Sequence, residues 1–166
     1  MECYKHLNSI FKNYNYQLPT TKLHTPMLHS FPIRIYYEDT DAAGIVYYAN
    51  YLKFAERART EALRQAGFDQ SKLLAEQKIG FVVKNCNIDF LSPAKLDDLL
   101  TIETNLHDIS KVSLSMKQVI KNGNKTLVNL DVKLVMVDDK MKLVKLPETI
   151  KISLIKAFNP KNYPED

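Results

Sequence analysis

The sequence predicts one α+β domain, in which a long helix packs on an antiparallel sheet. A helical pattern runs from Asn50 to Gly67, and after about residue 80 the hydrophobic period changes to two and stays there. The chain has 166 residues, a length that suits a single domain. A strand, a long helix and then a run of strands is an element order typical of α+β proteins.

The chain divides into three segments by composition and periodicity. Residues 1–30 are rich in Asn, Thr, Tyr, Lys and His and show no sustained period, which predicts a flexible N-terminal extension. The domain spans 31–158, and 159–166 form a C-terminal tail. The domain opens on a strand, because Ile33, Ile35 and Tyr37 alternate with more polar residues.

The long helix has recognisable ends and a narrow apolar face. Asn50 is a good N-cap residue and Gly67 a good C′ residue. The apolar stripe consists of Tyr51, Ala55, Ala58, Ala62 and Ala66. Alanines at these positions allow the sheet to approach the helix closely, and Arg57 and Glu61 have the spacing of a surface ion pair. A short second helix is predicted over about 69–77.

Four long strands are predicted over about 80–91, 98–107, 111–121 and 125–137. Asn122-Gly123 predicts a tight hairpin between the last two of these strands. A further strand, Met141–Leu146, and a closing helix from Pro147 complete the domain. Because an open sheet leaves an exposed edge, we expect the chain to form at least a homodimer.

Composition excludes several function classes. The net charge of +4 is too small for a nucleic-acid-binding protein, and no apolar stretch is long enough to span a bilayer. Cys3 and Cys86 form no CxxC pair, and with the histidines they offer no metal site. The N-terminus has no secretory pattern, so a cytoplasmic location with reduced thiols is expected.

The chemistry-bearing segment lies between the first strand and the long helix. Glu38, Asp39 and Asp41 precede a helix N-terminus, whose free N–H groups stabilise anions or developing oxyanions. Gly44 gives the turn conformational freedom and lets a ligand approach the backbone. A carboxylate beside such donors suits acyl transfer, although acidic residues before helices more often serve only as caps.

Two segments resemble a known family. Residues 36–63 read YYEDTDAAGIVYYANYLKFAERARTEAL, and residues 81–100 read FVVKNCNIDFLSPAKLDDLL. Both are similar to the hotdog-fold acyl-CoA thioesterases, in the branch of 4-hydroxybenzoyl-CoA thioesterase and the Tol–Pal-associated thioesterases. The resemblance covers about 31–158. It implies a hotdog fold, in which five or six antiparallel strands wrap a central helix, and assembly as a homodimer or homotetramer.

The resemblance also implies an activity and site residues. It implies hydrolysis of short-chain or aromatic acyl-CoA, with acyl carrier protein as an alternative thioester carrier and no cofactor. The matching catalytic carboxylate is Asp41, which acts either as a nucleophile or as a general base. Backbone N–H groups around Tyr47 and Tyr48 are the expected oxyanion donors. Asp39 is the weaker catalytic candidate and more a loop-structuring residue.

The remaining implied site residues contact substrate. Gly44, Tyr47, Asn50 and Glu56 match positions of the family motif, Asn50 being first of all an N-cap and Glu56 alternatively a surface or interface ion pair. Tyr48 stands where the Tol–Pal type has His. It is assigned a catalytic hydrogen-bonding role, with an aromatic wall of the acyl pocket as the alternative.

Two other functions stay open at this point. Because Tyr48 replaces the family's His, a second function remains open: a hotdog scaffold that binds acyl carrier protein or lipid-synthesis enzymes and hydrolyses thioesters poorly. A dehydratase of 3-hydroxyacyl thioesters would need a His/acid pair. It ranks last, because the domain's histidine, His107, is far in sequence from Asp41.

Overall fold

The computed structural model describes residues 21–22 and 29–158. The strands are β1 (Thr21–Lys22), β2 (His29–Arg34), β3 (Ile79–Phe90), β4 (Leu99–Ile109), β5 (Ser113–Asn122) and β6 (Lys125–Asp138). The helices are α1 (Asn50–Gln65), α2 (Gln70–Lys72), which continues into a π-helical turn (Leu73–Gln77), and α3 (Glu148–Phe158).

The six strands form one antiparallel sheet in the order β1-β4-β5-β6-β3, with β2 also paired to β4. Helix α1 packs on one face of this sheet, where its alanines at 55 and 58 are fully buried. The inward rows of β4, β5 and β6 supply the rest of the core. The α+β class and the hotdog arrangement expected from the sequence are confirmed.

The sheet begins earlier in the chain than the periodicity indicates. His29 and Ser30 already pair with β4, and so does β1. The other residues of segment 1–30, and the tail 159–166, lie outside the described residues. The first strand also ends early, since Tyr37 lies in a 3₁₀ turn and is 83% exposed. The expectation that Tyr37 continues the inward row was therefore wrong.

Helix α1 ends as its sequence indicates. Gly67 has φ +90°, its N–H donates to the Arg64 carbonyl, and the Phe68 N–H donates to the Leu63 carbonyl. These two bonds form a Schellman motif, which requires the left-handed conformation at Gly67. On the surface, Glu61 pairs with Arg64 one turn on rather than with Arg57.

Gly67→Ala should lower the free energy of unfolding by about 1–2 kcal/mol, because an L-residue is disfavoured in the left-handed region. Urea denaturation followed by circular dichroism measures this loss. The exposed neighbour Gln65→Ala is the control and should change stability by less than about 0.5 kcal/mol. Equal effects of the two substitutions would contradict the role given to the motif.

The segment after β6 differs from its prediction. Residues 141–146 form no strand and contribute only one isolated bridge, Val137 with Leu143. Met141 has φ +61°, a turn conformation that interrupts an extended strand. Asp138 explains the turn, because its carboxylate accepts hydrogen bonds from the Lys140 and Lys142 amides at 2.9 and 2.8 Å.

Candidate active site

The loop between β2 and α1 is organised around Asp39. Its carboxylate accepts the Tyr36 amide at 2.9 Å, and its main-chain carbonyl accepts both the Tyr47 amide and the Asn50 side-chain amide at 2.9 Å. These bonds tie the start of the loop to the start of α1. Asp39 therefore structures the loop, as its sequence position indicates.

Asp41 opens a tight turn that is held by its own backbone. The Asp41 N–H donates to the Ile45 carbonyl and the Gly44 N–H donates to the Asp41 carbonyl, both at 2.9 Å. The Asp41 carboxylate accepts the Ala43 amide at 2.9 Å, and its side chain is exposed. Gly44 has φ +72°, which a residue with a Cβ rarely adopts, so the turn depends on glycine here.

Asn50 does not cap the helix as expected. The N-cap position is Ala49, and Asn50 is the first helical residue, 6% exposed. Its side-chain amide instead donates to the Asp39 carbonyl. The expected N-cap role was wrong, because the helix begins at Asn50 itself and the Asn50 side chain bonds backward to the Asp39 carbonyl in the preceding loop.

Tyr47 and Tyr48 form an aromatic surface next to Asp41. Their ring centroids are 4.7 Å apart, and Tyr48 meets Phe90 of β3 edge to face at 6.2 Å. A hydrogen bond with Tyr48 raises the pKa of the Tyr47 phenol, and the nearby Asp41 charge raises it further. Tyr48 is 60% exposed and Phe90 49% exposed, so this surface is open to a ligand.

The backbone amides at the start of α1 differ in their partners. The Tyr47 N–H donates to the Asp39 carbonyl and is therefore occupied. The Tyr48 and Ala49 N–H groups donate to no acceptor within residues 29–158. These free N–H groups lie at the N-cap and the residue before it, immediately ahead of a 16-residue helix, where negative charge is stabilised.

Tyr51 connects α1 to the loop before β4. Its hydroxyl oxygen accepts the Ala94 N–H at 2.8 Å, and the Ala94 carbonyl accepts the Val46 N–H at 2.9 Å. The Tyr51 ring lies 5.9 Å from Phe90. This connection was missed by sequence reasoning, although Ala94 lies in the segment 81–100 that resembles the family.

Glu56 lies apart from the other proposed site residues. It is exposed, about 9 Å along α1 from Asn50 at 1.5 Å per residue, and accepts the Thr60 hydroxyl at 2.7 Å. Asp41, Gly44, Tyr47, Tyr48 and Asn50, by contrast, are brought together at the junction of the loop with α1.

A buried polar network lies under α1. Arg59 is 8% exposed and donates to Gln118 at 2.7 Å, while the Gln118 amide donates to the Ala55 carbonyl and to the Thr104 hydroxyl, both at 2.9 Å. Burial lowers the pKa of Arg59, and the Glu56 charge opposes that effect. The sequence carries one signal for this network, since Gln118 occupies an inward position between Met116 and Ile120.

A separate apolar cleft of about 340 Å³ lies at the other end of β3. Apolar residues of its lining are Leu73, Leu74, Phe81, Val82, Val137 and Met141. Gly80 forms part of its floor, where an added Cβ would come within 3.0 Å of the Leu74 side chain. Leu74 is held over this glycine by the π-helical turn and is 56% exposed.

The described part of the chain contains no cluster of three or more His, Cys, Asp or Glu side chains that could hold a metal ion. Within the same residues, no helix combines the length and hydropathy needed to cross a bilayer.

Comparisons with known proteins agree with the architecture. The thioesterase superfamily matches residues 43–129. The acyl-CoA thioesterase YbgC of Haemophilus influenzae is 48% identical over 123 residues, which are 74% of this chain and 90% of that protein. The crystal structure of a probable thioesterase from Bartonella henselae superposes with a TM-score of 0.70 at 37% identity, covering 72% of this chain and 99% of that one.

A gentisyl-coenzyme A thioesterase of known structure is 27% identical, with a TM-score of 0.69 and coverage of 74% of this chain and 98% of that one. The residues matched by the family, 43–129, include Gly44, Tyr47, Tyr48 and all of α1. The family match, the relatives and the solved structures all agree with the observed fold. The chain belongs to the thioesterase superfamily.

Proposed function

We propose that this protein hydrolyses acyl-CoA thioesters, with Asp41 as the catalytic carboxylate. The observation that carries the proposal is the placement of Asp41 in a turn fixed by its backbone, within the loop that leads to the free amides immediately before α1. The names of the relatives, acyl-CoA thioesterase and gentisyl-coenzyme A thioesterase, support the substrate class.

The amides of Tyr48 and Ala49 are the proposed oxyanion donors. As the thioester carbonyl becomes tetrahedral, its oxygen gains negative charge, and N–H groups at a helix N-terminus stabilise that charge. One such donor typically lowers the barrier by about 3–4 kcal/mol. Tyr47 is not assigned this role, because its amide donates to Asp39; we assign it a substrate contact through its ring.

Two routes use the same residues. In the first, an Asp41 oxygen attacks the thioester carbon, CoA leaves as thiolate, and water hydrolyses the resulting anhydride. In the second, Asp41 removes a proton from water as the water attacks, and CoA again leaves as thiolate. Both routes yield the free acid and CoA and require no cofactor.

The exposed aromatic surface favours short-chain or aromatic acyl groups. Tyr48 and Phe90 meet edge to face and are both exposed, and the Tyr48 ring also packs on Tyr47, whose phenol is affected by the Asp41 charge. Aromatic surfaces of this kind bind flat or compact apolar groups. Tyr48 is therefore assigned a wall of the acyl pocket, and its hydroxyl a hydrogen bond to substrate. Gly44 leaves open space beside the turn, and Glu56 is kept as a weaker substrate contact.

We place this chemistry in a homodimer formed through β3. Among the described residues, β3 pairs only with β6, so this strand of 12 residues forms an edge of the sheet. Antiparallel pairing of β3 with its copy would bring Phe90 of one chain to the Ile79 end of the other. The partner's apolar cleft would then lie beside the aromatic surface and extend the acyl pocket.

Light scattering should therefore give twice the mass of one chain, or four times if dimers pair. Hydrogen exchange provides a second measurement, because amides on the free edge of β3 should be protected in the dimer and exchange faster on dilution. Amides of β5, a central strand, are the internal control and should not respond. A single-chain mass at micromolar concentration would refute the dimer.

The activity is tested with a panel of acyl-CoA and acyl carrier protein substrates, with released thiol read by a chromogenic disulfide. We expect turnover of short-chain or aromatic acyl-CoA. If no thioester is hydrolysed while acyl carrier protein binds, the hydrolase proposal fails and a scaffold role replaces it. Acyl-CoA is an intracellular substrate, and we accordingly assign the protein to the cytoplasm.

A further inference from the structure

We infer that Tyr51 is a positioning residue for the Asp41 turn and acts through the main chain of Ala94. This inference rests on the proposed function, in which Asp41 performs the chemistry. Tyr51 does not reach Asp41 itself. Its hydroxyl bonds to Ala94, and Ala94 in turn bonds to Val46. Val46 pairs with Thr40 and so closes the hairpin, residues 40–46, that carries Asp41.

The first step is the bond between Tyr51 and Ala94. Tyr51 is 3% exposed and Ala94 is fully buried, so water does not replace the hydroxyl as acceptor for the Ala94 N–H. The bond joins residues 43 positions apart in sequence and is 2.8 Å long. Burial raises the pKa of the Tyr51 phenol, which keeps the hydroxyl neutral at physiological pH.

The second step connects Ala94 to the hairpin. The Ala94 carbonyl accepts the Val46 N–H at 2.9 Å, and Val46 forms a bridge with Thr40, the residue before Asp41. The Asp41 N–H then bonds to the Ile45 carbonyl. Each link is a main-chain bond with a fixed direction, so a shift of Ala94 moves the whole turn.

The third step is the aromatic contact. The Tyr51 ring packs against Phe54 at 6.0 Å and against Phe90 at 5.9 Å, and Phe90 contacts Tyr48. Tyr51 is therefore linked through Ala94 to the turn that holds the carboxylate, and it directly contacts Phe90 of the surface proposed for the acyl group. The ring provides packing, while the hydroxyl provides the link to Ala94, and the two contributions are separable by Tyr51→Phe.

Tyr51→Phe keeps the ring and removes the acceptor of a buried N–H group. We expect kcat for the best acyl-CoA to fall by about 10- to 100-fold, since small displacements of reacting groups have effects of this size. KM should change by less than about threefold, because the aromatic surface is retained. Hydrogen exchange at Ala94 and Val46 should become faster, without change at the centre of β5.

Thr104→Val is the matched control. It also removes one buried hydroxyl acceptor, that of the Gln118 amide, but lies in β4 away from the hairpin. The two variants are compared for the free energy of unfolding in urea and for kcat. If Thr104→Val lowers kcat as much as Tyr51→Phe does, Tyr51 has a merely structural role and the inference is overturned.

A double-mutant cycle with Asp41→Asn completes the test. If Tyr51 acts through Asp41, the two losses in kcat should not add, and the double variant should resemble Asp41→Asn alone. Additive losses would overturn the inference. If Asp41→Asn proves as active as wild type, the proposed role of Asp41 fails instead; exchange at Val46 still decides whether Tyr51 holds the hairpin, and unchanged exchange there refutes it.

Discussion

Asp41→Asn should lower kcat for acyl-CoA hydrolysis by at least about 100-fold while leaving the fold intact. Asparagine has the same shape, and its side-chain oxygen can still accept the Ala43 amide that Asp41 accepts at 2.9 Å. It has no negative charge, so it neither attacks a thioester carbon nor removes a proton from water. The rate of thiol release at saturating acyl-CoA measures the loss.

Asp39→Asn is the matched control for that substitution. It makes the same chemical change two residues away, at a carboxylate that accepts the Tyr36 amide. A loss of less than about tenfold is expected, because asparagine retains an acceptor for this bond. A larger loss for Asp39→Asn than for Asp41→Asn would reverse the assignment of the two carboxylates.

Gln118→Leu should lower the free energy of unfolding by about 3 kcal/mol, the second large effect we expect. Gln118 is fully buried and accepts a hydrogen bond from the guanidinium of Arg59, a residue that is itself 8% exposed. Leucine leaves that buried charge without its acceptor, and it also leaves the Ala55 carbonyl without the Gln118 donor. Urea denaturation at neutral pH measures the loss.

The combined variant Arg59→Met with Gln118→Leu tests the cause. Replacing both partners removes the stranded charge, so the double variant should be more stable than the sum of the two single losses implies. Strict additivity would show that the two side chains contribute independently and would contradict the buried network as a unit.

The sequence predicts the long strands and the end of α1 well. The alternation of β4, β5 and β6 depends on which face meets the core, and the helix end depends on a glycine that adopts the left-handed conformation. Residues 141–146 were predicted as a strand too, yet form none, because the side chain of Asp138 bonds to the following amides and Met141 takes a turn conformation. Local side-chain bonds of this kind are invisible to periodicity.

Much of the candidate site could be read from a single segment, since residues 41–50 are contiguous. The partners that hold it are not contiguous. Tyr51 reads as one more apolar position of the helical stripe, and Ala94 as part of a loop, although a hydrogen bond joins them. Asn50 likewise bonds backward to Asp39 rather than capping its own helix. Long-range pairing decides these roles.

The turn that carries Asp41 has a consequence for mutational tolerance. Its hydrogen bonds come from the main chain and from the Asp41 carboxylate, while Ala42 and Ala43 direct exposed methyl groups away from the core. Substitution libraries should therefore accept most residues at 42 and 43, with proline at 43 rejected for want of an N–H. Position 44, held at φ +72°, should accept glycine and, less well, asparagine. The residues accepted at positions 42–44 would thus be determined by the backbone conformation of the turn more than by the chemistry of their side chains.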